Sequence, residues 1–154
     1  MARDFEKLFK SAKYKQIIQL EHKVEKHDRK YFLAALIFTG DFERAEVILK
    51  NSQWRKADLV EVNFYWLLGS IRTQNYETMA KAFLDLFHHF NASKNKRNKF
   101  YLYQGMALVR FYQGYLASSC FFASNAYKIA ADLNDDYFCM ISTDLAGHAF
   151  SKRR

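Results

Sequence analysis

The chain alternates apolar runs with short polar breaks, and its apolar positions are spaced as in α-helices. Before residue 40, Leu33, Leu36 and Ile37 lie on one helical stripe. Gly40 then offers a residue that tolerates positive φ, which commonly ends a helix. Asp41 can cap the following helix by accepting bonds from its free N–H groups. This stretch therefore predicts the turn of an antiparallel helical hairpin.

The same break, followed by an aromatic residue and a helix, recurs along the chain. The aromatic residues that follow the breaks are Tyr14, Phe42, Tyr76 and Tyr115. They are separated by 28, 34 and 39 residues. A period in the thirties built from pairs of helices is typical of stacked helical repeats.

The whole pattern predicts an all-α fold of eight to nine helices. They are expected near residues 2–11, 13–26, 28–39, 41–51, 55–73, 75–91, 97–113, 115–133 and 135–150. The chain has no proline and only 5 glycines, which suits long helices and disfavours a β-protein rich in tight turns. No flexible linker interrupts the pattern, so residues 1–154 are expected to form a single domain, either complete or a fragment of a longer protein.

The repeated segments resemble the tetratricopeptide repeat. "TGDFERAEVIL" matches the second half of that consensus, with Gly-Asp-aromatic at the turn and Ala45 three residues after Phe42. "NYETMAKAFLDL" and "GYLASSCFFASNAY" match it less closely, with Met79 and Ser118 in the place of alanine, and the closing proline is absent. The resemblance implies a right-handed superhelix of antiparallel helical hairpins. It indicates a fold class and does not identify one family.

Composition favours a folded chain with anionic partners. Half of the residues are hydrophobic and 18% are aromatic, while the formal net charge is +8. No apolar run approaches the roughly 20 residues that a membrane-spanning helix needs. The N-terminus lacks the apolar core of a signal peptide, and Cys120 and Cys139 lie in apolar surroundings. We therefore expect a cytoplasmic protein with reduced cysteines and no membrane span.

The sequence contains no recognisable catalytic motif. The pair His88 and His89 points in directions about 100° apart on a helix, so it serves a single metal ion poorly. Neither cysteine has a neighbouring histidine or a cluster of cations that would activate its thiol. There is no glycine-rich phosphate loop. We expect no enzyme activity, no cofactor and no metal site.

The resemblance directs the first helix of each hairpin to a concave face, the surface that such repeat proteins use for binding. The residues that it places there as candidates for partner binding are Lys30, Phe64, Leu68, Arg72, Tyr103 and Arg110. Arginine and aromatic side chains together would suit an acidic or amphipathic segment. The alternative is that these faces pack against neighbouring repeats or are solvated.

A basic stretch lies between the third and fourth predicted hairpins. Its cations are Lys94, Lys96, Arg97 and Lys99. One interpretation is a solvated connector, and the other is an anion contact with nucleic acid as the leading ligand.

The last helix carries more apolar surface than the end of a solenoid normally shows. Phe138, Ile141 and Leu145 form one stripe, and Met140 and Phe150 lie outside it. Either the chain continues in a longer protein, or this helix is covered by a partner or by a second copy. The three stripe residues are thus candidates for self-association.

These observations predict a non-catalytic module that binds a protein or peptide segment, as one part of a larger regulatory or signalling protein. The alternative is an α-helical repeat that binds nucleic acid through its basic surface. Steep salt dependence of binding to oligonucleotides would distinguish the second from the first.

Overall fold

The computed structural model describes residues 2–92 and 94–152, with side chains from Phe5 onward. In this part of the chain all regular structure is helical, which confirms the all-α prediction. The helices are α1 (Ala2–Lys10), α2 (Tyr14–Gln19), α3 (Arg29–Phe38), α4 (Phe42–Asn51), α5 (Leu59–Arg72), α6 (Tyr76–Ala92), α7 (Lys96–Tyr112), α8 (Leu116–Asp132) and α9 (Asp136–Lys152). None of these described helices is long and apolar enough to cross a membrane.

The predicted helix boundaries agree with the observed ones to within a few residues, except in α2. The helix predicted near 13–26 stops at Gln19 and is followed by a short 3-10 helix, Glu21–Lys23. Residues 21–30 contain one apolar side chain, Val24. This segment therefore has too little apolar surface to be stabilised as a helix by packing.

The chain divides into two compact units, residues 1–85 and residues 86–154, called here the N-terminal and C-terminal units. In the N-terminal unit, α3 packs against α1, α2, α4 and α5. Seven consecutive residues of α3, 31–37, are buried. Gly69 of α5 faces Ile37, and a Cβ at this position would lie 3.5 Å from the isoleucine side chain. Helix α3 is therefore the centre of this unit.

In the C-terminal unit, α8 packs extensively against both α7 and α9. The fully buried residues of α8 are small: Ser119, Ala123, Ala126 and Ala130. Ser119 donates a hydrogen bond of 2.8 Å to the carbonyl of Ala107 on α7. Small side chains let three helices approach closely, so this seam holds the unit together.

Five helix ends share one turn geometry. The N–H of the residue with positive φ donates to the carbonyl three residues earlier, and the next N–H donates to the carbonyl five residues earlier, which is the Schellman motif. The positive-φ residues are Ala12, Gly40, Gln74, Gly114 and Asn134. The motif ends α1, α3, α5, α7 and α8, and it explains why the same break recurs in the sequence.

At three of these turns the residue after the positive-φ position caps the next helix. Asp41, Asn75 and Asp135 each accept a hydrogen bond from the backbone N–H three residues later. This confirms the predicted roles of Gly40 and Asp41, because φ at Gly40 is +88° and Asp41 caps α4. One short polar sequence thus ends one helix and begins the next.

Replacing Gly40 with alanine is expected to destabilise the N-terminal unit by about 1–2 kcal/mol, because an L side chain is strained in the left-handed region. Replacing Gln74 with glycine at the corresponding turn should stabilise the N-terminal unit by up to about 1 kcal/mol. Urea denaturation followed by tryptophan fluorescence measures both, since the two tryptophans, Trp54 and Trp66, lie in this unit. A loss of stability in both variants would contradict the proposed role of positive φ.

Candidate partner-binding surface

The candidates on the first helices of the N-terminal unit fall into two groups. Phe64 is buried, with 4% of its surface exposed, and it packs edge-on against Tyr65. Leu68 is half-buried and Arg72 is exposed. The guanidinium of Arg72 lies 5.0 Å from the ring centroid of Phe38 and also donates to the carbonyl of that residue. Phe64 is therefore a core side chain here, and Arg72 is the more accessible candidate.

Lys30, expected to face a partner, lies instead in an ion network. Its ammonium is 3.3 Å from carboxylate oxygens of both Asp58 and Glu61, and only 11% of its side chain is exposed. Tyr65 donates to Glu61 at 2.7 Å. Arg55 makes two hydrogen bonds to Asp58, and this pairing raises the pKa of the arginine. Lys30 thus joins α3 to the start of α5 within the unit.

A third buried carboxylate lies just before α3. Asp28 is 2% exposed, and its Oδ1 has no hydrogen-bond partner among the described residues. His27 lies 3.4 Å from its other oxygen. Burial raises the pKa of Asp28, so the contribution of this carboxyl group to stability decreases as the pH rises above the ordinary aspartate pKa of about 3.9.

The basic stretch of the C-terminal unit is largely helical. Lys94 lies in the connector, while Lys96, Arg97 and Lys99 belong to the first turn of α7, which Asn95 caps by accepting from the N–H of Asn98. Arg97 is half-buried, and its guanidinium lies over the ring of Phe138. The three lysines are exposed. None of the three has an ion-pair partner in the described part of the chain.

Candidates for partner binding, Tyr103 and Arg110, lie on the same face of α7 as Lys99, a candidate for anion contact. Lys99, Tyr103, Met106 and Arg110 follow each other at i, i+4, i+7 and i+11, and we call this stripe the α7 surface. Lys99 and Arg110 are exposed, while Tyr103 and Met106 are half-buried. The stripe is about 16.5 Å long at the rise of an α-helix.

Contacts across the α7 surface hold its aromatic groups in place. The ammonium of Lys99 lies 5.9 Å from the ring centroid of Tyr103, and Phe122 of α8 stacks on that ring at 6.3 Å. Arg110 lies 5.4 Å from the ring centroid of Tyr115, which is 58% exposed. The ring of Tyr103 is therefore already engaged, whereas its hydroxyl has no partner among the described residues.

The stretch of sequence that carries the α7 surface has charges of one sign. Residues 86–131 contain no aspartate or glutamate, and this stretch includes all of α7 and most of α8. Its cations are Lys94, Lys96, Arg97, Lys99, Arg110 and Lys128. A count of charge for each segment reveals this run, whereas the total of +8 spreads the charge over the whole chain and hides it.

The stripe of α9 that was a candidate for self-association is turned toward its own unit. Phe138 and Leu145 are buried, with 2% and 8% exposed, and Ile141 is half-buried. Leu145 packs with Ala107 and Ala123 of the neighbouring helices. Phe138 and Leu145 stabilise the unit itself, so self-association through them would first require α9 to leave α7 and α8.

Among the described residues, no three histidine, cysteine or carboxylate side chains lie close enough together to hold a metal ion. Cys120 and Cys139 are free thiols, both half-buried.

No protein-family model matches this chain, and no curated protein or solved structure matches it either.

Proposed function

We propose that this chain is a non-catalytic interaction module that binds an acidic segment of a partner protein through the α7 surface. The observation that carries the proposal is the stripe of Lys99, Tyr103 and Arg110 within a stretch that has no acidic residue. Two cations that have no acidic partner among the described residues, together with a phenol donor on the same helix face, suit carboxylates that are spaced along a peptide.

The engaged aromatic rings favour a protein ligand over nucleic acid. Single-stranded nucleic acids stack their bases on open aromatic faces. The ring of Tyr103 already contacts Lys99 and Phe122. Carboxylates need only the cations and the hydroxyl, which remain accessible.

The fold supports the wider setting of this proposal. Five Schellman turns join successive helices, and hairpins of this kind build the superhelix of tetratricopeptide repeats. We propose the same arrangement for this chain, as a portion of a larger regulatory or signalling protein. Arrays of this kind present helix faces to extended segments without doing chemistry.

Binding of a fluorescein-labelled peptide with four glutamates and two leucines, measured by anisotropy, tests the proposal. Replacing Arg110 with glutamate should weaken binding by about tenfold or more, because a favourable contact becomes a like-charge repulsion. Lys128→Glu changes the net charge equally at an exposed position of α8 outside the stripe, and it should change affinity by less than about threefold.

Two results would overturn this function. One is equal weakening by both substitutions, which would mean that only the net charge matters. The other is tighter binding of a labelled thymidine 12-mer, with an affinity that falls steeply with salt, which would assign the surface to nucleic acid.

A further inference from the structure

A second candidate surface lies in the N-terminal unit, away from the α7 surface. A groove of about 300 Å³ runs between α4 and α6, with α5 at its base. Leu49, Trp66 and Ala82 supply its apolar lining. Leu49 and Trp66 are half-buried, so part of each side chain is accessible from the groove. A space of this size accommodates one large side chain and its backbone, near the lower limit of ordinary ligand sites.

The indole of Trp66 offers an unused hydrogen-bond donor at this groove. Among the described residues its N–H has no partner. The other tryptophan, Trp54, donates its N–H to the carbonyl of Leu49 at 3.0 Å. Trp66 thus combines an apolar face with a donor that can bind a peptide carbonyl, as interface anchors commonly do.

The charged residues of the two walls differ in how they are paired. On α4, Glu46 and Lys50 form an ion pair of 2.6 Å. On α6, Lys81 and Asp85 have the same i, i+4 spacing but the reverse order, which pairs less well on a helix. Neither Lys81 nor Asp85 has an ion-pair partner in the described part of the chain. The α6 wall therefore presents an unpaired cation and an unpaired anion about 6 Å apart along the helix.

We propose that this groove binds a partner segment in which a bulky apolar side chain is flanked by one acidic and one basic residue. The apolar side chain would cover Trp66, the acid would pair with Lys81 and the base with Asp85. A purely acidic segment fits poorly, because it would place a carboxylate against Asp85. This specificity differs from that of the α7 surface and does not depend on the function proposed for it.

Nitrogen–proton correlation NMR of the two indole N–H groups tests the proposal in the intact chain. The probe is the capped tripeptide acetyl-Glu-Phe-Lys-amide, and the controls are acetyl-Glu-Phe-Glu-amide and acetyl-Lys-Phe-Lys-amide. We expect the mixed-charge peptide to shift the Trp66 resonance saturably, with a Kd on the order of 1 mM, and to leave Trp54 almost unchanged. The like-charge peptides should bind about two- to fivefold more weakly.

Substitutions on α6 separate the charged contacts from the apolar one. Lys81→Gln and Asp85→Asn should each weaken the mixed-charge peptide by about two- to fivefold, while Lys56→Gln, outside the groove, should have no effect. Equal binding of all three peptides would overturn the charge specificity. An unmoved Trp66 resonance would overturn the site, and so would a shift that depends on protein concentration without peptide, since it would assign the groove to a second copy.

Discussion

Replacing Phe138 with alanine is expected to destabilise the C-terminal unit by about 3–5 kcal/mol. The ring of Phe138 stacks on Phe100 at a centroid distance of 4.3 Å and meets Tyr101 edge-on at 5.3 Å. The guanidinium of Arg97 lies 5.1 Å from its centroid. Alanine would leave a cavity beside two fully packed rings and remove the support of the arginine.

The loss should appear in urea denaturation followed by far-UV circular dichroism. Met140→Ala is the matched control, because Met140 lies on the same helix and is 58% exposed. It should cost less than about 0.5 kcal/mol. Since Phe138→Ala can unfold the unit outright, Phe138→Leu gives a smaller loss, on the order of 1 kcal/mol.

Light scattering of the same variants decides between a core and an interface role. A core residue changes stability and leaves the mass of the folded species as it was. If Phe138→Ala and Phe138→Leu instead dissociated an oligomer at unchanged stability, the side chain would belong to an interface between copies. The sequence pattern allowed both roles, since an apolar stripe on a last helix looks the same in either case.

The helices and their turns were predictable because the signals that set them are local. A Schellman turn needs one residue that accepts positive φ, and a cap needs one short polar side chain beside it. Gly40 and Asp41 supply both within two residues. Ala12 and Gln74 occupy the same conformation without being glycine, so composition alone would have missed them. The recurring spacing of the following aromatic residues located these turns.

The buried faces of the helices were harder to predict, as α8 shows. The sequence comparison put Ser118 and Phe122 in the places of Ala45 and Leu49, which share one face of α4. The structure leaves Ser118 and Phe122 half-buried and buries Ala123 and Ala126 completely. A helix that packs on two neighbours needs small residues at the points of closest approach. A hydrophobicity scale ranks phenylalanine above alanine, but it does not indicate how closely two helices approach each other.

The environment of Lys30 depends on residues that are distant in the sequence. Its partners Asp58 and Glu61 lie 28 and 31 positions later, and only the packing of α3 on α5 brings them together. The resemblance gave Lys30 a partner-binding role on the concave face because it treats each hairpin alone. By contrast, Lys99 and Arg110 are related by helical periodicity, so their common face follows from the sequence.

Replacing Lys30 with methionine is expected to destabilise the N-terminal unit by about 3 kcal/mol or more. Methionine keeps the length of the side chain but removes the charge that faces Asp58 and Glu61, both only 2% exposed. Arg55 still neutralises Asp58, whereas Glu61 keeps the hydrogen bond from Tyr65 and loses the ion pair. The main cost is the loss of this ion pair with Lys30 by a buried carboxylate.

Urea denaturation followed by the fluorescence of Trp54 and Trp66 measures this loss. Lys50→Met is the matched control, since it breaks the exposed ion pair with Glu46 and should cost no more than about 0.5 kcal/mol. The double variant Lys30→Met, Glu61→Gln should lose less than the sum of its single variants, because it removes both charges together. Additive losses would mean that Lys30 and Glu61 do not stabilise each other. A loss in Lys30→Met no larger than in Lys50→Met would mean that the buried network contributes no more than a surface pair.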